Sequence, residues 1–258
     1  MGKWTIFPFL GDYAFDASSV KNNWGRLHAG DAEPLPTEAK VLQAWALFHN
    51  GEFENAMKLG LKIGGDGLTV ANKSTAIYAT YLEKTEQIRL DLFMETARRA
   101  EVQAKENPKN VNAHYWHAYA LGRYCQGISV ARALAQGLGN KVKHSLENTI
   151  KLQPLHADAH IALGAFHAEV IDKVGSLIGG MTYGARKDTG LQLLQEALKL
   201  NFASAIGMIE YANAMVMLDG EKMMKQATML YQQAAAATPI DAMERLDVEM
   251  ARLELEED

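Results

Sequence analysis

Short proline-containing segments recur along the chain, and they limit what the residues between them can form. The ten residues from Lys105 align with the ten residues from Lys151, which places Pro108 and Pro154 46 residues apart. A shorter segment of the same kind surrounds Pro239. Proline ends a helix because it has no backbone N–H and its ring clashes with the preceding turn. The chain is therefore divided into units that start and stop at equivalent points.

Between these segments, apolar residues recur at intervals of three and four. Leu42, Trp45 and Phe48 would share one face of a helix, and similar sets follow in later units. Gly51 and Gly220 lie in short turns between such helices. No segment shows the sustained two-residue alternation of a half-buried strand. The pattern predicts an all-α chain of repeated antiparallel helix pairs.

Each unit of helix A, turn and helix B resembles a tetratricopeptide repeat. Ala44 occupies the small position at which the two helices cross, and Leu163 with Gly164 resembles the characteristic pair of helix A. The resemblance implies a right-handed α-solenoid with capping elements at both ends. We expect an N-terminal arm with a short capping helix at 1–36, helix pairs at 37–68, 69–110, 111–156, 157–204 and 205–240, and a capping helix with an acidic tail at 241–258.

Two central units are longer than a tetratricopeptide repeat of about 34 residues. Pro154 and Phe202 are 48 residues apart, and we expect the additional residues between helices A and B, at 125–136 and 171–184. They could extend helix A, cover a pocket for a small apolar ligand, contact a second protomer, or serve only as structural padding. Over about residues 85–250, this arrangement also resembles the regulator of microtubule dynamics proteins and the T components of bacterial tripartite (TRAP) transporters.

Charge and composition exclude several classes of function. The net charge of −5 disfavours binding to nucleic-acid phosphates. No apolar run is long enough to span a membrane, and Pro8 and Gly11 interrupt any signal sequence at the start of the chain. We therefore expect a cytoplasmic protein, or a periplasmic one if a signal peptide was removed. Cys125 is the single cysteine, so no intrachain disulfide can form.

Neither a cofactor nor catalysis is expected. The glycines at 175–180 lack the Gly-Lys-Ser/Thr ending of a phosphate-binding loop, and Cys125 lacks the surroundings that activate a thiol. Histidines on two neighbouring A helices offer a weaker alternative, a zinc site. These are His114, His117, His160 and His167. Since no acidic ligand motif of known spacing accompanies them, we expect packing roles instead.

The tetratricopeptide resemblance implies a concave groove lined by A helices, where we expect a protein or peptide partner to bind. Tyr and Arg side chains suit this role because they provide large contact areas and directional donors. The candidate binding residues are Trp45, Phe48, Asn112, Tyr115, Tyr119, Arg123, Ile161, Glu169 and Asn213. The leading hypothesis is a non-catalytic scaffold. The alternative is a transport component that binds a small apolar ligand beneath the two insertions.

Overall fold

The computed structural model describes residues 3–257, and every regular element in that range is helical. The α-helices are α1 (Ala17–Asn22), α2 (Trp24–Leu27), α3 (Ala39–His49), α4 (Phe53–Ile63), α5 (Gly67–Tyr81), α6 (Glu86–Glu106), α7 (Val111–Gln126), α8 (Val130–Ala135), α9 (Leu138–Leu152), α10 (Ala157–Tyr183), α11 (Lys187–Leu200), α12 (Ala205–Asp219), α13 (Met224–Ala235) and α14 (Ala242–Glu257). The predicted all-α class is confirmed. Within the described range, no helix has the length and apolarity needed to cross a membrane.

Successive helices pack against each other in chain order. Helix α3 packs on α4, α5 on α6, α10 on α11, and α12 on α13. Glycines permit the closest approaches, because a Cβ on Gly60 would lie 2.5 Å from the carbonyl oxygen of Gly67. Likewise, a Cβ on Gly164 would lie 2.6 Å from Cγ of Leu194. The fold is that of a tetratricopeptide-like helical repeat protein, consistent with an α-solenoid.

Side-chain caps begin the helices that follow the proline-containing segments. The Asn110 side chain accepts a hydrogen bond from the Ala113 N–H at 2.9 Å, which starts α7. Nδ1 of His156 accepts from the Ala159 N–H at 3.0 Å and starts α10. Each cap provides an acceptor for an N–H that has no partner inside the helix. The recurring segments therefore both end one helix and start the next.

The chain forms two compact units. The first comprises the residues up to His28, Glu33–Asn148 and Ile240–Met243. The second comprises Ala29–Ala32, Thr149–Pro239 and the residues from Glu244 onward. The first unit is centred on large aromatic side chains, and Trp45 and Trp116 are the largest of its fully buried residues. The second has two smaller clusters: one on α10–α12, and one on α12, α13 and α14.

The two insertions fold differently from each other. The first forms the short separate helix α8, none of whose residues is buried. The second lies within α10, but φ of 80° and ψ of 157° at Gly175 break this helix, and the segment after the break folds back so that the ring centroids of Phe166 and Tyr183 lie 6.1 Å apart. Beyond this break, Leu177 and Met181 are 76% and 82% exposed. The second insertion therefore does not simply extend helix A, because its helical segment folds back against the residues before the break, such as Val170.

Candidate binding surface

Helix α5 is the central A helix of the first unit, and every residue from Thr69 to Ala79 is buried. Three of its polar side chains, those of Thr69, Asn72 and Thr75, bond to α6. The Asn72 side chain donates to Oε1 of Gln103 at 3.0 Å, and Nε of Arg99 donates to Oδ1 of Asn72 at 2.6 Å. Burial lowers the pKa of Arg99 below its ordinary value, while Glu95 at 3.3 Å favours its charged form. These bonds satisfy polar groups that would otherwise destabilise the buried helix.

Three A helices of the first unit meet around one buried lysine. Nζ of Lys73 on α5 lies 5.6 Å from the ring centroid of Trp45 and 5.1 Å from that of Phe48, both on α3. It also lies 5.9 Å from the ring centroid of Trp116 on α7. A cation over aromatic faces is attracted by the negative potential of the rings. We call the surface formed by α3, α5 and α7 around this lysine the A-helix surface.

The N-terminal arm, residues 3–36, lies on the A-helix surface. Trp24 packs edge-on against Trp45 with ring centroids 5.9 Å apart, and His28 packs against the same indole at 4.6 Å. Farther along the arm, the Glu33 carboxylate accepts a hydrogen bond from the Asn112 side chain on α7. Two candidate binding residues, Trp45 and Asn112, therefore already contact a segment of the same chain.

The beginning of the arm is also held by contacts with the A helices. Trp4 stacks on Tyr78 of α5 with ring centroids 4.0 Å apart and planes 9° apart. The backbone N–H of Thr5 donates to the Tyr78 hydroxyl at 3.2 Å. Phe7 packs against the turn between α3 and α4, beside Phe53. The arm is thus held by aromatic packing and hydrogen bonds at several points along its length.

Burial divides the nine candidate binding residues into two groups. Five are buried in the core: Trp45, Phe48, Asn112, Tyr115 and Ile161. The helical period identified their inward direction, but neighbouring helices and the arm cover that face. The remaining four are half-buried: Tyr119, Arg123, Glu169 and Asn213. A partner that approaches this conformation can reach only the second group.

Tyr119 and Arg123 form the accessible part of the A-helix surface. They lie one turn apart on α7, and Cζ of Arg123 is 5.3 Å from the Tyr119 ring centroid. The Tyr119 hydroxyl shares a 2.9 Å hydrogen bond with the hydroxyl of Thr80 on α5. In the second unit, Asn213 accepts a hydrogen bond from the Tyr231 hydroxyl at 2.6 Å. Only the first pair presents a charged group together with an aromatic face.

The four histidines of the zinc alternative each have a different partner. The His114 ring bonds to the Pro108 carbonyl, and the His117 ring bonds to the Ser145 hydroxyl. The His160 ring bonds to the His156 carbonyl, and the His167 ring accepts from the Arg186 N–H. Across the described residues, no group of three or more His, Cys, Asp or Glu side chains is placed to hold a metal ion. The structure therefore gives no support to a zinc site at His114, His117, His160 and His167.

The first insertion covers a cleft in the first unit, but the lining of this cleft is charged. The cleft has a volume of about 730 Å³ and lies among α6, α7, α8 and α9. Three cations and two carboxylates line it: Arg98, Arg132, Lys141, Asp91 and Glu101. Burial of these groups against an apolar molecule would be unfavourable. This is not the apolar pocket that the ligand-carrier alternative requires at the first insertion.

Some of the residues that cover the A-helix surface or hold its helices in place are not indicated by any local sequence pattern. Nδ1 of His49 lies 2.6 Å from Oδ2 of Asp241, and both side chains are buried. These residues are 192 positions apart, and no local pattern connects them. Trp24 and Trp4 offered a better signal, since large aromatic residues in an otherwise irregular segment favour burial.

Comparisons with known proteins agree with this fold. A thermophilic tetratricopeptide-repeat protein from Thermus thermophilus is similar in structure, with a TM-score of 0.57 and 16% sequence identity. The match covers 83% of this chain and 97% of that protein. No curated protein matches the sequence. The family model described as regulator of microtubule dynamics protein 1-3 matches residues 43–174. Residues 43–174 make up just over half of this chain, so the chain belongs to this family.

Proposed function

We propose that this chain is a non-catalytic scaffold that binds a protein or peptide partner on the A-helix surface. The observation that supports this is the position of the N-terminal arm. A largely irregular segment of the chain contacts the same helices on which a partner was expected. Trp24 contributes an aromatic ring and Glu33 a carboxylate to these contacts. The A-helix surface therefore has the chemistry needed to hold a peptide.

The contacts of the arm suggest which peptides fit. A partner segment that replaces or extends the arm would carry an aromatic side chain followed by an acidic one. Arg123 is suited to such a segment because a guanidinium binds carboxylates through charge-assisted hydrogen bonds. Its position beside the Tyr119 ring limits its freedom before binding, which lowers the entropic cost of the contact. We infer an extended, acidic and aromatic peptide as the partner.

Binding to an array of immobilised peptides tests this function. The wild-type chain is compared with the double variant Trp24→Ala/Glu33→Gln, in which the arm is loosened, after circular dichroism has shown that both are folded. Peptides that combine aromatic and acidic residues are expected to bind the loosened variant more strongly than the wild type. Adding Arg123→Glu to the loosened variant is expected to remove that binding.

The matched control is Lys62→Glu, which makes the same change of charge at an exposed position on the B helix α4. It is expected to leave peptide binding unchanged in the loosened variant. Equal loss with Lys62→Glu and Arg123→Glu would show that only the overall charge matters. If the loosened variant binds no more peptide than the wild type, the A-helix surface is a packing surface and the proposal fails.

A further inference from the structure

The cleft among α6, α7, α8 and α9 is separate from the A-helix surface contacts described above, and the proposed function does not use it. Its volume of about 730 Å³ is within the range of sites that bind small molecules. Helix α8 contributes Arg132 to the lining, and the following turn contributes Gln136. The first insertion, which exceeds the length of an ordinary repeat, therefore completes this cleft.

Three positive side chains from three different helices line the cleft. Arg98 belongs to α6, Arg132 to α8 and Lys141 to α9. Among the described residues, no side chain forms a hydrogen bond or ion pair with the charged group of Arg98 or Lys141. Arg132 lies over the Tyr124 ring, with Cζ 5.9 Å from its centroid. These three cations outnumber the two carboxylates of the lining, so the cleft has a net positive charge.

The carboxylates of the same cleft already have partners. Asp91 accepts a hydrogen bond from the Gln87 side chain at 2.9 Å. Glu101 lies 3.0 Å from Nζ of Lys105, and this pairing is the main reason that the pKa of Glu101 is lowered. Lys141 also contributes to lowering the pKa of Glu101, so the two carboxylates offset part, but not all, of the positive charge of the lining. The difference favours a negatively charged ligand.

The uncharged residues of the lining indicate the chemistry of the uncharged part of the ligand. His117 projects from α7, with Nδ1 2.8 Å from the Ser145 hydroxyl, and its Nε2 has no hydrogen-bond partner among the described residues. Burial lowers the pKa of His117 to about 4, so it is neutral at pH 7. Apolar contacts come from Leu90, Met94 and Leu121. These groups suit a short apolar portion next to the charged group.

We propose that this cleft binds a small organic anion in which a phosphate or carboxylate adjoins a short apolar portion. Arg98, Arg132 and Lys141 hold the anionic group through charge-assisted hydrogen bonds. Leu90 and Leu121 contact the apolar portion. The ligand neutralises the excess positive charge of the lining, and it holds α8 against the other helices.

Hexyl phosphate is the probe, and isothermal titration calorimetry on the full chain measures its binding. Hexyl phosphate is expected to bind more tightly than inorganic phosphate, and hexanol is expected not to bind. The triple variant Arg98→Gln/Arg132→Gln/Lys141→Gln is expected to weaken binding by more than about tenfold, because it removes all three charge-assisted hydrogen bonds to the anion. Circular dichroism checks that the variant is folded.

A second triple variant, Lys62→Gln/Lys84→Gln/Lys225→Gln, removes three exposed cations outside the cleft. It has the same net charge as the first variant and is expected to bind hexyl phosphate as the wild type does. Equal weakening in both variants would overturn the proposal, as would the absence of hexyl phosphate binding to the wild type. Phosphatidylglycerol vesicles separate the sources of the anion. Binding to vesicles but not to dissolved hexyl phosphate would also overturn the assignment of a small ligand.

Discussion

Two surfaces of the first unit are formed by neighbouring repeat helices, but they differ in how many of their side chains already have partners within the chain. The A-helix surface is covered by the arm, and its central lysine lies among three aromatic rings. The cleft beneath α8 is open, and its cations Arg98 and Lys141 lack a partner side chain among the described residues. The first surface is rich in aromatic rings and the second in charged side chains, and the two also differ in whether these side chains have partners within the chain.

The difference has a physical consequence for how each surface responds to substitution. Side chains of the covered surface contribute to folding, because the arm and helices remove them from water. The cations Arg98, Arg132 and Lys141 of the cleft are exposed, so they contribute little to folding and remain available for binding. Substitutions should therefore change stability at the first surface, whereas substitutions of these cations should change ligand affinity at the second.

Trp45→Ala should have the largest effect, because the indole is fully buried between the arm and Lys73. Its removal leaves a cavity and withdraws a ring from the cation. We expect the free energy of unfolding to fall by about 3–5 kcal/mol, measured by urea denaturation. Trp45→Phe retains an aromatic ring and should cost less. A loss below about 1 kcal/mol for the alanine variant would show that the A-helix surface does not contribute to the core.

Gly51→Ala should have the next largest effect, because it tests the packing of the arm on the turn between α3 and α4. Gly51 has a φ of 83°, and a Cβ there would overlap the Phe7 ring. We expect a loss of about 2–3 kcal/mol and faster proteolysis of the arm. Gly65→Ala is the control, since its φ of 48° is also positive but no atom lies within 4 Å of a Cβ there. Equal losses would mean that Phe7 packing contributes nothing.

The sequence was sufficient to predict the helical class and the repeat resemblance, because both depend on local periodicity and on helix-ending residues. It was not sufficient to predict which helix faces are accessible. Thr69, Asn72 and Thr75 have the polarity of an exposed face, yet all are buried. Long-range hydrogen bonds to α6, such as the one from Asn72 to Gln103, make this burial favourable. Such pairs follow from the tertiary packing and not from spacing along the chain.

The same limit applies to the candidate binding residues. The helical period places Trp45 and Phe48 on one face, and both rings lie near Nζ of Lys73, but no sequence pattern indicates that the arm covers part of that face. Glu33, which bonds to Asn112, lies 79 positions from it in sequence. The cleft was missed for a related reason: Arg98, Arg132 and Lys141 look like ordinary surface residues until the fold brings three helices together.

The pH dependence of stability provides a smaller test, located in the cleft. Burial lowers the pKa of His117 to about 4, although Glu101 favours the protonated form. As the pH falls from about 6.5 toward 4, the unfolded chain gains a proton that the folded chain does not. The free energy of unfolding should therefore fall, by roughly 1–2 kcal/mol between pH 7 and pH 5. Denaturation at several pH values measures this.

The matched variant for the pH test is His117→Gln, which removes the titrating group but can still hydrogen-bond to Ser145. The difference between the wild type and this variant should grow in favour of the variant as the pH falls below 6.5. If the two proteins lose stability in parallel over that range, His117 is not the source of the pH dependence. The His117 ring would then be more exposed to water than the structure indicates.

Arg98→Gln should have the smallest effect on stability and therefore gives the sharpest contrast with Trp45→Ala. Arg98 is exposed and has no ion pair among the described residues, so its removal should change the free energy of unfolding by less than about 0.5 kcal/mol. Relief of repulsion from Arg132 and Lys141 would act in the stabilising direction. Hexyl phosphate should raise the melting temperature of the wild type more than that of the variant, because a ligand stabilises only the state that binds it. A loss above about 1 kcal/mol without ligand would show that Arg98 is needed for folding, and the distinction between the two surfaces would no longer hold.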